Sequence, residues 1–443
     1  MPRPIAWTSS PRTGMRSVAG DSARRECDRS LARMHEAGAN ASMITVTEHR
    51  ARQEAELSDQ RRANGATLSS LDGVPVVWKD VFDVVGTVTT CGSASRRNRP
   101  PAQRDGALVR RAHQLGMLTV GKTNLSEFAF SGLGINSTFG TPINPLDPLW
   151  VPGGSSSGAA TAVGTGIAPL AVGTDTSGSV RVPAAFTGCV GFRSSPQRYG
   201  TNDFCPLSPT LDSIGIIGRS VDLIREFDRL LTTSADPGRA PTYPRVIVPA
   251  GEWIEACTPT VRGAFVGAVE RLRAAGVSVS TVEMVSLREA QRLMDENATI
   301  VGSEAFHRYG HLLACRAAIE PATRRRLINN RGSERAVRPV RAAMVGLRKM
   351  FTAELGGSLL MCPTVRHEPP AIEPLLQSSE LYDAFNASTL RTTMALSYLG
   401  TCGLSLPIGD QPVGLLLSAP AGGDSSVLEF GSLIADVVNS VQK

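Results

Sequence analysis

Asp105-Gly-Ala-Leu-Val-Arg-Arg-Ala-His-Gln-Leu115, then Gly116, then Met117-Leu-Thr-Val120, is the stretch whose reading decides the fold. The first eleven residues read as a helix, the glycine as its stop, and the last four as a short apolar strand. The pattern recurs. Ala159 to Thr165 reads as a helix and Ile167 to Val172 as a strand. Thr260 to Ala275 carries Val261, Phe265, Ala268 and Leu272 on one face, stops at Gly276 and leads into Val277-Ser-Val279. Repeated helix–glycine–strand units predict an α/β fold around a largely buried sheet.

Outward from these units the chain changes texture. Residues 1–20, rich in Pro, Ser, Gly and Arg, are expected to be loose. Residues 21–66 form a charged, alanine-rich, helix-prone region with Leu31, Met34 and His35 on one face, and residues 67–443 form the α/β domain. Within that domain a chemically dense core spans about 71–220, a proline-bearing hinge falls at 232–245, and a variable region runs over about 225–400.

Composition narrows the function classes. The 443 residues are 42% hydrophobic and 19% charged, the profile of an ordinary globular enzyme. A net charge of +6 and a pI near 9.0 invite a nucleic-acid reading. The arginine clusters Arg24-Arg25, Arg61-Arg62, Arg96-Arg97 and Arg324-Arg325-Arg326 lack interleaved aromatics, so the charge reads as solvated surface and no nucleic-acid partner is expected. The eight cysteines show no CxxC and no metal-ligand spacing, and the chain opens without an export signal. A reducing cytoplasm is expected, with no metal, no cofactor and no membrane partner, since no stretch approaches the length of a membrane span.

Three motifs mislead. Gly116-Met-Leu-Thr-Val-Gly121-Lys122-Thr123 matches a phosphate-binding loop in letters. Its intervening residues are themselves a strand, whereas that loop needs small residues whose N–H groups can face phosphates. Gly154-Ser-Ser-Ser-Gly158 matches a nucleophile elbow centred on Ser156, but Asn144 to Pro152 before it is loop-like and a partner histidine is hard to place, although His367 is available. Glu304, His307 and His311 would share a helix face as metal ligands, yet Gly310 weakens that helix.

The chemistry gathers around one lysine. Of 46 basic residues only Lys79, Lys122, Lys349 and Lys443 are lysine, and Lys79 sits in the apolar run Gly73-Val-Pro-Val-Val-Trp-Lys79-Asp-Val-Phe82. Arginine keeps its proton in a protein, whereas a desolvated lysine can lose one near neutral pH. Two glycine/serine-rich segments follow, Pro152-Gly-Gly-Ser155-Ser-Ser-Gly158 and Gly173-Thr-Asp-Thr-Ser-Gly-Ser179-Val-Arg181. Both abut apolar strand and helix signals, so they belong to the folded body, where glycines let N–H groups converge on a ligand. A serine ending such a loop suits a nucleophile beside an oxyanion pocket, and with no histidine near either segment Lys79 is the candidate base.

At this point the chain resembles the amidase signature family of serine hydrolases. The stations are the Lys79 run, Gly-Lys-Thr-Asn124-Leu-Ser-Glu127-Phe, Phe139-Gly-Thr-Pro-Ile-Asn144-Pro and the two glycine/serine segments. Val182-Pro-Ala-Ala-Phe186, Thr210-Leu-Asp-Ser-Ile-Gly215, Gly403-Leu-Ser-Leu-Pro407 and Pro412-Val-Gly-Leu-Leu-Leu417 complete them. The resemblance implies a central mixed β-sheet covered by helices on both faces. It implies Ser179 as nucleophile, Lys79 as base and Ser155, after a cis Gly154–Ser155 peptide, as the serine bridging them. The N–H groups of Thr176, Ser177, Gly178 and Ser179 would hold the oxyanion, with Asp175 and Arg181 bracing the loop. Members usually carry glycine or alanine where this chain has Ser177, which would narrow the pocket or add a hydrogen bond to substrate.

Substrate choice in the family resides in the variable region, and Phe128, Phe130, Leu133 and the residues around His307 are candidates to line the pocket. Leu417 to Asp424 is similar to allophanate hydrolases, whereas Arg198 to Asp212 fits general amidases better. The expected reaction is hydrolysis of a small carboxylic amide to acid and ammonia. The alternatives are an allophanate or carbamoyl-amide hydrolase, the glutaminase subunit of a tRNA-dependent amidotransferase, and a non-catalytic scaffold. Members are often dimers, so a homodimer is among the expected states.

Overall fold

In the computed structural model the described residues are 22–36, 41–201, 203–232, 245–315 and 317–439. The segment 1–20 and nearly all of the 232–245 hinge lie outside them. Eleven strands form one mixed sheet: β1 (Met43–Val46), β2 (Pro75–Lys79), β3 (Leu118–Thr123), β4 (Leu170–Asp175), β5 (Val190–Arg193), β6 (Ser213–Gly218), β7 (Val246–Pro249), β8 (Val279–Val282), β9 (Leu359–Pro363), β10 (Thr401–Ile408) and β11 (Gln411–Pro420). Their order across the sheet is β1-β3-β2-β4-β6-β5-β10-β11-β9-β7-β8. β2 runs parallel to both β3 and β4, and β7 parallel to β8 and β9; the remaining pairings are antiparallel.

Successive residues of a strand point to opposite faces, and here both faces are covered. Val76, Trp78, Leu170, Val172 and Ile216 enter an apolar cluster with Leu108, Val109 and Ala112 of the helix Ala107–Gln114 and Phe227 of the helix Val221–Leu231. Val77, Leu118, Val120, Ala171 and Ile217 enter another with Cys27 and Leu31, with Ala51 and Ala55, and with Ala159 and Val163. Those residues belong to the helices Ala23–Glu36, Glu48–Ala63 and Ser157–Gly164. Burial on two sides explains why β2 reads as a continuous apolar run instead of an alternating one.

Where the elements depart from the sequence reading, the reasons are local. β3 continues past Val120 through Gly121, Lys122 and Thr123, with a register irregularity against β2 beside Gly121. The letters of the phosphate loop therefore lie within a strand. β4 begins at Leu170, because Pro169 has no N–H to give a ladder. Residues 21–66 are not purely helical, since β1 pairs antiparallel with β3 at the sheet edge. His35 is exposed, while Leu31 and Met34 on the same helix are buried.

What this positions is one edge. β2 and β4 are parallel neighbours with Trp78 opposite Val172, so Lys79 and the Thr174–Asp175 end of β4 emerge together. Clefts at the carboxyl ends of parallel strands are the usual place for a site in such sheets.

Candidate active site

Lys79 is fully buried at the end of β2. Its Nζ lies 2.7 Å from Ser155 Oγ and donates to Thr174 Oγ1 at 3.0 Å. Among the described residues no carboxylate pairs with it. Burial draws its pKa from 10.5 down to about 7, against the opposing pull of the Asp175 and Asp212 charges. A lysine in this state accepts a proton at neutral pH.

Ser155 is held by backbone on both sides. The Gly154–Ser155 peptide is cis. Gly154 N–H donates to the Gly132 carbonyl at 2.7 Å, and the Ser155 carbonyl accepts from Ser126 N–H at 3.2 Å. A Cβ at position 154 would lie 2.6 Å from Gly134 N, so glycine is required there by close approach. The next residue, Ser156, donates its N–H to the Ser179 carbonyl at 3.0 Å, which brings the second glycine/serine segment against the first. Ser156 occupies the N-cap position of the helix Ser157–Gly164 without a side-chain capping bond, and its Oγ donates instead to the Thr174 carbonyl at 3.4 Å. His367 instead packs near Phe186 and Phe385 with Nε2 3.3 Å from Thr389 Oγ1, so nothing assembles an elbow triad around Ser156.

The turn from Asp175 to Ser179 is built around the Asp175 carboxylate. It accepts from Gly178 N–H at 2.7 Å, from Val180 and Arg181 N–H at 3.2 and 3.3 Å, and from Arg181 Nε and Nη2 at 3.0 and 2.9 Å. Arg193 Nη1 adds a contact at 3.2 Å. Burial alone would raise this carboxyl, but the Arg181 and Arg193 charges and the N–H donors hold it well below the usual carboxylate range. One expectation changes as a result. The Gly178 N–H is committed to Asp175 and is not available to an oxyanion, whereas the N–H groups of Thr176, Ser177 and Ser179 have no acceptor among the described residues. Gly178 serves by its shape: φ is +125°, and a Cβ would fall 2.1 Å from Thr393 Oγ1. Thr393 Oγ1 in turn donates to the Ser177 carbonyl at 2.5 Å. Ser177 Oγ is buried and has no hydrogen-bond partner among the described residues.

The sequence singled out neither Thr174 nor Asp212 for a role, although both lie in quoted stations. Asp212 accepts from Thr176 Oγ1 at 2.6 Å and from Leu207 and Ser208 N–H at 2.9 and 3.0 Å. Burial pushes its pKa up to about 6 despite those donors. Arg193 was also missed. At the end of β5 it resembles any arginine closing a strand, and only the tertiary fold turns it towards Asp175.

Phe128 and Phe130 are both buried beside these segments. Phe128 takes a positive φ of 52°, sparse for a bulky residue, and stacks on Tyr309 with centroids 4.4 Å apart. Phe130 lies under the Arg326 guanidinium. Leu133 enters a small cluster with Val182 and Phe186. His307 does not join them: it is exposed on the helix Ile300–Tyr309, and the residue of that helix that reaches Phe128 is Tyr309, two positions on and about 200° around the helix. Glu304 binds Ser208 Oγ, Thr210 N–H and Arg341 instead of a metal set with His307 and His311. Among the described residues no cluster of three metal-ligating side chains occurs, and no helix is long and apolar enough to cross a membrane.

Comparison with known proteins gives a consistent result. The profile of the Amidase family matches residues 27–428. The 2-amino-5-chloromuconic acid deaminase of Comamonas testosteroni is 33% identical over 396 residues, covering 86% of this chain and 84% of that protein. The indoleacetamide hydrolase of Pseudomonas syringae pv. syringae is 30% identical over 399 residues, covering 84% and 86%. A crystal structure of an amidase superposes with a TM-score of 0.84 at 27% identity, covering 95% of this chain and 97% of that one. The chain thus belongs to the amidase signature family, as a hydrolase acting on amide C–N bonds.

Proposed function

We propose that the protein hydrolyses a small carboxylic amide to carboxylate and ammonia through Ser179, Ser155 and Lys79. The observation that carries this reading is the 2.7 Å hydrogen bond between Lys79 Nζ and Ser155 Oγ, in a fully buried setting where the lysine has no ion-pair partner among the described residues. A charged amine so placed is costly, and a neutral one is a base.

Neutral Lys79 takes the proton of Ser155 as Ser155 takes that of Ser179, whose oxygen bonds to the amide carbon. The carbonyl π electrons move onto oxygen, and the N–H groups of Thr176, Ser177 and Ser179 stabilise that charge. Collapse breaks the C–N bond, and the proton returns from Lys79 through Ser155 to the departing nitrogen. Water then adds to the Ser179 ester with the same relay as base and releases the carboxylate. The Asp175–Arg181 pair and Arg193 fix the loop but touch no reacting atom. Substrate selection falls to the variable region around 225–400, which supplies Tyr309 beside Phe128. The names of the two relatives, which point to an amide and an acid of small size, support a small-molecule substrate.

The test is ammonia release from a panel of aliphatic, aryl and carbamoyl amides and glutamine, with Ser179→Ala beside it. Turnover of a carboxylic amide that disappears in the variant is the expected result. Turnover confined to carbamoyl amides or to glutamine would move the assignment to the corresponding alternative. No turnover, together with no labelling of Ser179 by a fluorophosphonate, would refute the catalytic reading.

A further inference from the structure

Tyr382, Asn386, Thr393 and Ser397 of the helix Ser379–Tyr398 share one face, falling within about 60° of one another at 100° per residue. All four are polar and all four are buried. A buried polar stripe is costly unless each group finds a partner. Here the partners belong to the segments that lead to the two serines. Ser131 Oγ donates to Asn386 Oδ1 at 3.1 Å and lies 2.8 Å from Tyr382 Oη, and Gly132 N–H donates to Asn386 Oδ1 at 2.8 Å. Two turns along the helix, Thr393 Oγ1 donates to the Ser177 carbonyl at 2.5 Å. Arg181 Nη2 donates to the Thr393 carbonyl at 3.2 Å and to Ser397 Oγ at 2.8 Å.

Each segment also presses a glycine onto this helix. A Cβ at Gly132 would lie 2.7 Å from Leu390 Cγ, and one at Gly178 would lie 2.1 Å from Thr393 Oγ1. From these contacts the path to the reacting groups is short. The Gly132 carbonyl accepts Gly154 N–H at 2.7 Å, and Ser155 is the next residue. The Ser177 carbonyl stands two residues before Ser179. Ser156 N–H donates directly across to the Ser179 carbonyl at 3.0 Å. A bond of that kind limits a distance and leaves the segments able to pivot about it. Supports from a single rigid rod take that freedom away, and a rise of 1.5 Å per residue separates Asn386 from Thr393 by about 10.5 Å.

We infer that the helix Ser379–Tyr398 sets the spacing of Ser155 and Ser179, with Asn386 and Thr393 as the positioning residues. The inference rests on the reading of Ser179 as the nucleophile and Ser155 as its relay. Neither residue touches a reacting atom. Each acts through a backbone group, Asn386 through Gly132 and Thr393 through Ser177, and proton transfer between two hydroxyls depends steeply on their separation. The region that the sequence assigns to substrate choice thereby also carries part of the catalytic geometry.

The experiment compares Asn386→Leu, Thr393→Val and the double variant with the wild-type enzyme. It reads kcat and KM for the amide of the panel that the wild-type enzyme turns over fastest, and the rate at which a fluorophosphonate labels Ser179. Each single variant should lower kcat and the labelling rate about 100-fold and move KM less than about threefold. Asn386→Asp keeps the acceptor and Thr393→Ser keeps the donor, so both should recover rates to within about tenfold of wild type. Both apolar substitutions release the same spacing, so the double variant should also lose about 100-fold and not the product of about 10⁴-fold. Wild-type kcat in the single variants, a loss confined to KM, a loss that the conservative variants share, or losses that multiply would each overturn the inference. If Asn386→Leu does not fold, Asn386→Ser, whose side chain is too short to reach Gly132 N–H, is judged by the same outcomes. Labelling of the wild-type enzyme separates the two readings. Its absence defeats Ser179 as nucleophile and the inference with it, whereas labelling that both single variants retain at the wild-type rate defeats the spacing inference alone.

Discussion

Lys79 and Lys122 stand on adjacent parallel strands, both fully buried, yet only Lys122 has a carboxylate beside it, Asp80 Oδ1 at 2.5 Å. Lys122 Nζ also donates to the Val88 carbonyl and Thr89 Oγ1 at 3.0 and 2.9 Å. The same residue type thus holds two different states within one sheet. Pairing gives Lys122 a structural place, and Lys79, isolated from a counter-ion, is the one proposed as the base.

Replacement of each by methionine should separate the two. Lys122→Met strands a buried Asp80 and should destabilise by about 3–5 kcal/mol in denaturant unfolding. Lys79→Met removes a group whose folded pKa, about 7, lies below its unfolded 10.5. The penalty that Lys79 imposes is full below pH 7 and fades as pH rises towards 10.5. Lys79→Met should therefore gain stability relative to wild type at pH 6 and lose that advantage at high pH.

Ser179→Ala, Ser155→Ala and Lys79→Ala should each lower kcat by about 10⁴-fold or more, and any double variant should be little worse than the weaker single one. Groups acting in one relay are not additive. Full additivity in steady-state kinetics would separate Ser155 from the relay.

The pH profile follows from the depressed lysine. For a neutral amide, kcat/KM should rise about tenfold per unit below roughly pH 6 and level off above roughly pH 8, with a midpoint set by Lys79 near 7. The Asp212 charge favours the protonated lysine. Asp212→Asn should therefore move the limb to lower pH, while its side-chain oxygen can still accept from Thr176. A limb that stays in place would remove Asp212 from the electrostatics of the site.

Arg181→Met should cost about 3–5 kcal/mol at pH 7 by leaving Asp175 charged with only part of its compensation. The depressed carboxyl contributes its stability above the unfolded value near 3.8 and loses it as pH falls below that. The gap between variant and wild type should accordingly narrow in acid, which urea unfolding across pH would reveal.

Two neighbours on the turn should respond in opposite ways. Ser177→Ala removes a hydroxyl that has no partner among the described residues and should leave Tm unchanged or slightly raised, so any change in its kinetics reports contact with substrate. Gly178→Ala puts a Cβ against Thr393 at a φ of +125°, and should cost about 1–3 kcal/mol and most of the activity.

By itself the sequence determined the repeating helix–glycine–strand framework, because apolar periodicity and glycine stops act over a few residues. It also singled out Lys79 and the two glycine/serine segments, because rare lysine in an apolar run and glycine/serine segments inside folded chain are compositional signals, while the parts proposed for Ser155 and Ser179 came from the resemblance to the amidase signature family. Only the tertiary structure decided which charged groups meet. It committed Gly178 N–H to Asp175, brought Arg193 to the same carboxylate, left His307 in solvent while Tyr309 faced Phe128, and turned Arg326 alone of three arginines inward. Those outcomes depend on contacts between residues far apart in the chain, and periodicity carries no information about the partner on the other side.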